Sequence, residues 1–439
     1  MKKFFSTIQN IFSIEELRVR ILNTLGFLII FRLGSFVVLP GVDPSKLQES
    51  AGGIFGLLDT FLGGAFSNAS IFGLGIMPYI SASIVLQLLT VAVPYFQKLQ
   101  KEGDSGRKKI TQITRVLTIA ITLAQGVSYL TVAIPAEAIV LENRTLFTMA
   151  AVIILTAGTI FCMWLGEKIT DKGIGNGISM LIMIGIISRF PGSLVAEGLS
   201  RGMSQMLIFI IEIVALFFVV MGVVLLTQAV RRIPVQYAKQ VVGNKVYGGQ
   251  RQYIPLKVNA SGVMPIIFAQ SLMFLPAMIA GLWADDSDLA QYVGATFSNI
   301  QSWQYNLVFA ILIILFTFFY TAITVNPNQI ADDMKRNGGF IPGIKPGKQT
   351  SEFIDNVLTR ITLPGSFFLA IVAILPAFAM TAGVNTGFAQ FYGGTSLLIM
   401  VGVILDTLQQ IESYLLMRHY DGLMKSGRLK GRAQNAAVA

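Results

Sequence analysis

The stretch "GIMPYISASI", Gly75–Ile84, opens a long apolar run with a proline four residues in, and "GVMPIIFAQS", Gly262–Ser271, opens another the same way. Proline is tolerated in the first turn of a helix, where the N–H it lacks has no intrahelical partner. Pro78 and Pro265 therefore mark where regular helix begins or is broken. Aliphatic residues flank both: Ile76 and Ile80 around the first, Met264 and Ile267 around the second.

The apolar character extends along the whole chain. Of its 439 residues 54% are hydrophobic and only 13% charged, with a mean hydropathy of +0.67. Soluble proteins carry about 25% charged residues, so this is the composition of a membrane protein with several spans. About 20 mostly apolar residues, as helix, cross the hydrocarbon core. Ten segments meet or nearly meet that length: 21–39, 72–92, 114–134, 146–165, 178–198, 207–229, 262–283, 305–325, 361–381 and 393–415. The fifth is interrupted by Arg189 and "FPG". With the N-terminus inside, 28 of the 33 Lys and Arg residues fall in inside segments. Lys46, Arg144, Arg189 and Arg201 fall outside, and Arg32 lies within the first span. That asymmetry supports ten spans with both termini cytoplasmic. The N-terminal "MKKFFSTIQNIFSIEELRVR" is mixed in charge and amphipathic, and no small-residue cleavage pattern closes the first apolar run. That run is expected to stay as a span.

The two Gly-x-Met-Pro segments open spans two and seven, five apart and opposite in direction. Two inverted five-span halves would explain this; so would coincidence, because Gly and Pro are frequent in membrane helices. Intramembrane charge is scarce, with Arg32, Glu212 and Asp406 the main candidates. An ion-coupled transporter needs polar or ionisable groups near the midplane, whereas the centre here is aliphatic, which suits a constriction that excludes ions by dewetting. One apolar stretch, "IFGLLDTFLGGAF" at 54–66, does not span. As helix it would reach only about 20 Å. Composition leaves two readings open: a loop lying on the membrane surface, or a short helix folded back into a cavity.

Reactive groups are poorly supplied. Cys162 and His419 each stand alone, which excludes an intramolecular disulfide and a multi-cysteine metal site. "PGIKPGKQT" at 342–350 lacks the first glycine of a phosphate-binding loop and carries Gln349 where the magnesium-binding hydroxyl belongs. "GIGNG" at 173–177 lacks the strand and spacing of a dinucleotide fingerprint and reads as a tight loop before span five. The Asn-x-Ser/Thr matches at 68, 143 and 259 have little specificity. No catalytic residue, cofactor or metal site is expected. The formal charge of +10 and pI near 9.6 concentrate in long loops. Loop 230–261 holds Arg231, Arg232, Lys239, Lys245, Arg251 and Lys257 with three tyrosines and no acid, and loop 326–360 is as long. Helix connections usually take about 2–8 residues. Such loops fit either anionic lipid or docking of an acidic protein or an RNA-containing particle.

Seven stretches together resemble the SecY family, the large subunits of the Sec protein-conducting channel. They are "RILNTLGFLIIFRLGSFVVLPGVD", "GGAFSNASIFGLGIMPYISASIVLQLL", "GIGNGIS", "RRIPVQYAK", "KVNASGVMPIIFAQS", "GGFIPGIKPGKQT" and "FYGGTSLLI", and they run from span one to span ten. The resemblance implies an all-α polytopic membrane protein with ten transmembrane helices in two inverted five-helix halves around a central pore. The pore ring would fall on Ile76, Ile80, Ile178, Ile182, Ile267 and Ile399. The short segment would be the plug, with Phe55, Leu57, Leu58, Asp59, Phe61, Leu62, Gly63 and Gly64. Gln87 and Asn259 match polar positions of a lateral gate between spans two and three on one side and seven and eight on the other.

The resemblance also implies docking by Arg231, Arg232, Lys239, Lys245, Arg251, Lys335, Arg336, Lys345 and Lys348. Where the family motif reads "GIRPG", Lys345 keeps the charge but not the bidentate fork of arginine. Implied partners are the SecE and SecG small membrane subunits, the SecA motor ATPase, the ribosome, secretory preproteins, nascent membrane proteins and anionic lipids. The expected organisation is a cytoplasmic N-terminus 1–20 and an N-terminal half 21–198 with the plug at 54–67. A C-terminal half 199–415 with both loops and a cytoplasmic tail 416–439 follow. The expected location is a bacterial plasma membrane, and the expected activity is passive passage of unfolded chains with sideways release of hydrophobic segments. The competing readings are an ion-coupled secondary transporter with inverted repeats, which predicts a polar midplane site, and a membrane assembly scaffold, which leaves the short segment unexplained.

Overall fold

The structure, a computed structural model, describes residues 12–47, 59, 62–132, 134–141, 143–202, 205–237, 240–242, 245–247, 251–270, 272–273, 292, 294, 296–297 and 299–425. The chain is a bundle of long helices. They are α1 Glu15–Gly34, α2 Met77–Ala92, α3 Pro94–Lys101, α4 Asp104–Val132, α5 Arg144–Lys172, α6 Gly177–Arg201, α7 Met206–Gln228, α8 Trp303–Thr324, α9 Pro327–Arg336, α10 Lys348–Thr381, the short α11 Thr386–Ala389 and α12 Gly394–Lys425. Seven helices among the described residues are long and apolar enough to cross a membrane, and the bent pair α2–α3 makes an eighth. The other two expected spans are α1, whose apolar run is diluted by Arg18, Arg20 and Arg32, and the helix over 264–270 and 272–273, which then leaves the described residues.

Local chemistry sets the helix starts. Pro78 sits in the first turn of α2, and Pro265 is the second helical residue of the segment at 264, so both repeats open a helix in the way their prolines require. The Asn143, Asn176, Ser302 and Asn326 side chains cap α5, α6, α8 and α9 by accepting from first-turn N–H groups. Several helices outrun their apolar cores. The 34-residue α10 extends about 51 Å, and it begins well before the apolar run at 361. The fifth span is not interrupted: α6 runs through Arg189 and Pro191 as one helix.

Packing follows chain order, α2 on α4, α4 on α5, α5 on α6, with α8 along α10 and α6 against α12. One apolar cluster draws on residues between Leu39 and Leu155, a second on residues between Val223 and Val401. A third joins the two sides, setting Leu28, Phe31, Ile76 and Ile186 against Phe391, Ile399 and Val403. The two long loops form one unit rather than two. β1 Val230–Tyr237 pairs antiparallel with β4 Arg251–Lys257 and with β5 Gly339–Phe340. A smaller hairpin joins β2 Gln240–Val242 to β3 Lys245–Tyr247. Ile233, Val235 and Leu256 of the sheet pack on Met334 of α9 and on Ile354 and Leu358 at the start of α10.

Candidate functional site

All six isoleucines singled out in the sequence lie in the third cluster. Ile76 caps α2 and Ile80 lies one turn on; Ile178 and Ile182 share a face in the first turns of α6; Ile267 comes from the 264–270 helix and Ile399 from α12. Four elements thus deliver aliphatic side chains to one place. Phe31, Leu62, Ile76, Met77, Ile80, Leu181 and Ile182 line a cavity there of about 10 Å³. A water needs roughly that volume and two to four polar partners, and these side chains offer none.

Leu62 belongs to the short segment, so that segment reaches the isoleucine cluster. Asp59 is buried, and its carboxylate accepts from the Ser67 backbone N–H at 2.9 Å and from the Arg189 guanidinium. Arg189 also donates to Ser67 Oγ at 3.0 Å, and Arg32 of α1 donates to the Gly63 carbonyl at 2.9 Å. Tyr129 of α4 donates to the Phe66 carbonyl at 2.7 Å. Gly63 and Gly64 take φ of +60° and +94°. A Cβ on Gly63 would lie 2.8 Å from Gly185 Cα, so glycine is what lets this backbone meet α6. Phe55, Leu57, Leu58 and Phe61 lie outside the described residues.

A seam runs from the isoleucine cluster along α2. Ile84 packs with Phe268 and Tyr320, flanked by Met264, Phe316 and Phe319. The Tyr320 hydroxyl of α8 donates to Gln87 Oε1 of α2 at 2.9 Å, while Asn259 is buried and accepts from Ser261 Oγ at 3.3 Å. Gln87 thus meets Tyr320, which the sequence reading did not single out.

Away from the seam, α6 ends in a buried ionic network. Arg201 bonds Glu197 of its own helix at 2.9 Å, Glu212 of α7 at 2.5 Å and the Gly383 carbonyl after α10 at 2.7 Å. Glu197 also accepts from the Asn385 N–H at 3.0 Å, and Tyr392 donates to the Glu212 carbonyl at 2.6 Å. The i,i+4 pair Glu197–Arg201 was legible as a spacing; its distant partners were not. Two of the three scarce intramembrane charges therefore have structural partners, Arg32 at the Gly63 carbonyl and Glu212 at this network.

On the sheet unit, Arg231, Arg232, Lys335, Arg336, Lys345 and Lys348 are exposed. Lys245 lies on β3 and Arg251 on β4, and Lys239 lies outside the described residues. Arg231 and Arg232 on β1 and Lys345 beyond β5 thus belong to one surface-bearing unit built from both loops.

Known proteins share this fold. The SecY family model matches residues 70–408. The protein translocase subunit SecY of Streptomyces coelicolor is 43% identical over 431 residues, covering 94% of this chain and 98% of the relative. A solved protein-conducting channel superposes with a TM-score of 0.63 at 18% identity, over 90% of this chain and 92% of that one. A SecY channel whose plug domain is described as stabilising the closed state and maintaining a membrane seal gives 0.60 at 19% identity, with the same coverage. Sec61 in a canine ribosome–channel complex gives 0.60 at 17%, again with that coverage. Model, identity and coverage agree: the chain belongs to the SecY family.

Proposed function

We propose that the chain forms the pore of a protein translocase, a passive channel for unfolded polypeptides. The observation that carries this is the convergence of six isoleucines from four elements on one apolar cluster, reached by Leu62 of the 54–67 segment. Ile76, Ile80, Ile178, Ile182, Ile267 and Ile399 are the pore ring, and residues 54–67 are the plug. The halves 21–198 and 199–415 part along the α2–α8 seam, the lateral gate. An aliphatic ring conforms to any side chain passing through it and offers ions nothing to replace their hydration.

Sideways release is downhill for an apolar segment. Ten Leu-like residues at roughly −0.3 to −0.6 kcal/mol each gain about −3 to −6 kcal/mol on entering lipid. Export of a polar chain has no such term, so a partner must drive it. The sheet unit, with Arg231, Arg232 and the Lys335–Lys348 segment, is the docking face for a ribosome and for a SecA motor. The ribosome-bound Sec61 relative supports the former. Lys239, Lys245 and Arg251 are read as further docking residues. SecE and SecG complete the channel, and anionic lipid heads meet its basic rim. The membrane is a bacterial plasma membrane, with both termini and the sheet unit on the cytoplasmic side.

A stalled secretory chain should crosslink to probes at Ile80 and Ile267. In planar bilayers, Ile267→Asn and Ile399→Asn should each raise the resting conductance, because a polar side chain wets the ring. An unchanged leak in both variants, with no crosslink, would refute the pore assignment.

A further inference from the structure

We propose that Arg189 is a positioning residue that latches the plug shut through Asp59, an inference that rests on reading residues 54–67 as the plug. Three observations meet here. The Asp59 side chain is only 8% exposed, so its charge needs a partner, and Arg189 is that partner. The same guanidinium bonds Ser67 Oγ at 3.0 Å, so one side chain holds both Asp59 and Ser67. On the other flank Arg32 holds the Gly63 carbonyl at 2.9 Å.

The two arginines come from different helices, α1 and α6, and both belong to the wall. Ideal Cβ positions on Gly63 and Gly64 would fall 2.7 Å from Arg32 Nη1 and 3.1 Å from Arg189 Nη2. Two cations thus flank a glycine pair, with one carboxylate beside them. If the segment leaves, the wall keeps the charges of Arg32 and Arg189 and loses the Asp59 carboxylate that sits beside them. The segment's return restores that balance, which is what a latch requires.

The latch is also built to release. The Arg189 side chain is 39% exposed, so it regains water easily when Asp59 departs. A fully buried pair would cost far more to part. Only the plug's half of the pair is buried, and that half moves as part of a larger body whose apolar contact to the ring, Leu62, is lost in the same step. An incoming chain therefore has to break one charge-assisted contact and one apolar contact together. Arg189 thereby contributes to how readily a weak signal opens the channel.

The test is resting ion flux through the complex purified from its own membrane and reconstituted in planar bilayers. Asp59→Asn keeps the shape and removes the charge; Arg189→Gln does the same from the other side. Each should raise the resting conductance on the order of tenfold, as loss of a charge-assisted hydrogen bond implies. The exchange Asp59→Arg with Arg189→Asp should bring it back towards wild type, which a general loosening of the fold would not do. Deletion of 54–66 is the reference. A deletion that leaves the leak unchanged would refute the plug reading itself. A leaking deletion with Asp59→Asn and Arg189→Gln both as tight as wild type would refute the latch alone. Arg189→Lys should fall between, keeping the charge while losing the second bond to Ser67.

Discussion

The molecule is held together along two edges in opposite ways. At the end of α6, Arg201 joins Glu197, Glu212 and the Gly383 carbonyl in a buried ionic network, with Asn385 and Tyr392 tied in from the C-terminal side. At the α2–α8 seam the Tyr320 hydroxyl bonds Gln87, a contact between neutral groups amid apolar contacts of Ile84 and Phe268. Hydrogen bonds to charged groups contribute about 1.5–3 kcal/mol each, neutral ones about 0.5–1.5. Neutral bonds between membrane helices average near 0.6 kcal/mol. On the gate reading proposed above, the ionic edge is the pivot and the seam the closure. The connector between α6 and α7 spans only residues 202–205, so this pivot lies beside a short link between the proposed halves.

The strongest way to break this contrast is Arg201→Met. It keeps the side-chain volume and leaves Glu197 and Glu212 buried with no cation. Glu212 Oε2 already has no hydrogen-bond partner among the described residues, so the remaining charge has little to fall back on. Removing one partner of a buried ion pair costs about 3–5 kcal/mol. Thermal unfolding of the purified protein should show a marked drop in midpoint, and an unchanged midpoint would remove the pivot from the account.

A smaller change sharpens the same edge. Tyr392→Phe deletes only the hydroxyl that donates to the Glu212 carbonyl at 2.6 Å, in a buried site. The expected loss is about 1 kcal/mol, visible as a modest shift in the same melt. If Tyr392→Phe matched Arg201→Met, the ionic network would not be the dominant tie.

Much of this architecture was readable from the sequence because hydrophobicity and proline act locally. The segments that cross, the helix starts at Pro78 and Pro265, and Ile76, Ile80 and Ile267 beside them follow from patterns within about a turn or a span, whereas Ile178, Ile182 and Ile399 came only from the family resemblance. Charges were read less well. Arg189 looked like a loop residue because an unpaired arginine does not belong in a span; its partner Asp59 lies 130 residues away. Arg201 was counted with the loops for the same reason, and the Gly383 carbonyl it binds is 182 positions distant. The joining of two basic loops into one sheet depends on the two-residue strand β5, too short to leave a pattern. Helix ends were underestimated wherever a helix continues into polar sequence, as α10 does, since hydropathy sees only the part meant for lipid.

The finest test lies at the seam. Tyr320→Phe keeps the ring that packs on Phe268, with centroids 4.9 Å apart, and deletes only the bond to Gln87. Gln87 is exposed and lies on the other side of the seam, so the change is confined to the closed state. Losing about 0.6 kcal/mol there should raise the open fraction about threefold. Each Leu-like residue is worth roughly 0.3–0.6 kcal/mol in lipid. A marginal membrane segment should then need one or two fewer leucines to leave the channel sideways. Scoring integration of a graded leucine series in wild type and variant measures that offset directly. Gln87→Leu should produce a similar offset, and the double variant no more than either alone, because one bond cannot be lost twice. Additive offsets would mean that Gln87 and Tyr320 act separately, and a requirement for more leucines would mean that their bond holds the seam open rather than shut.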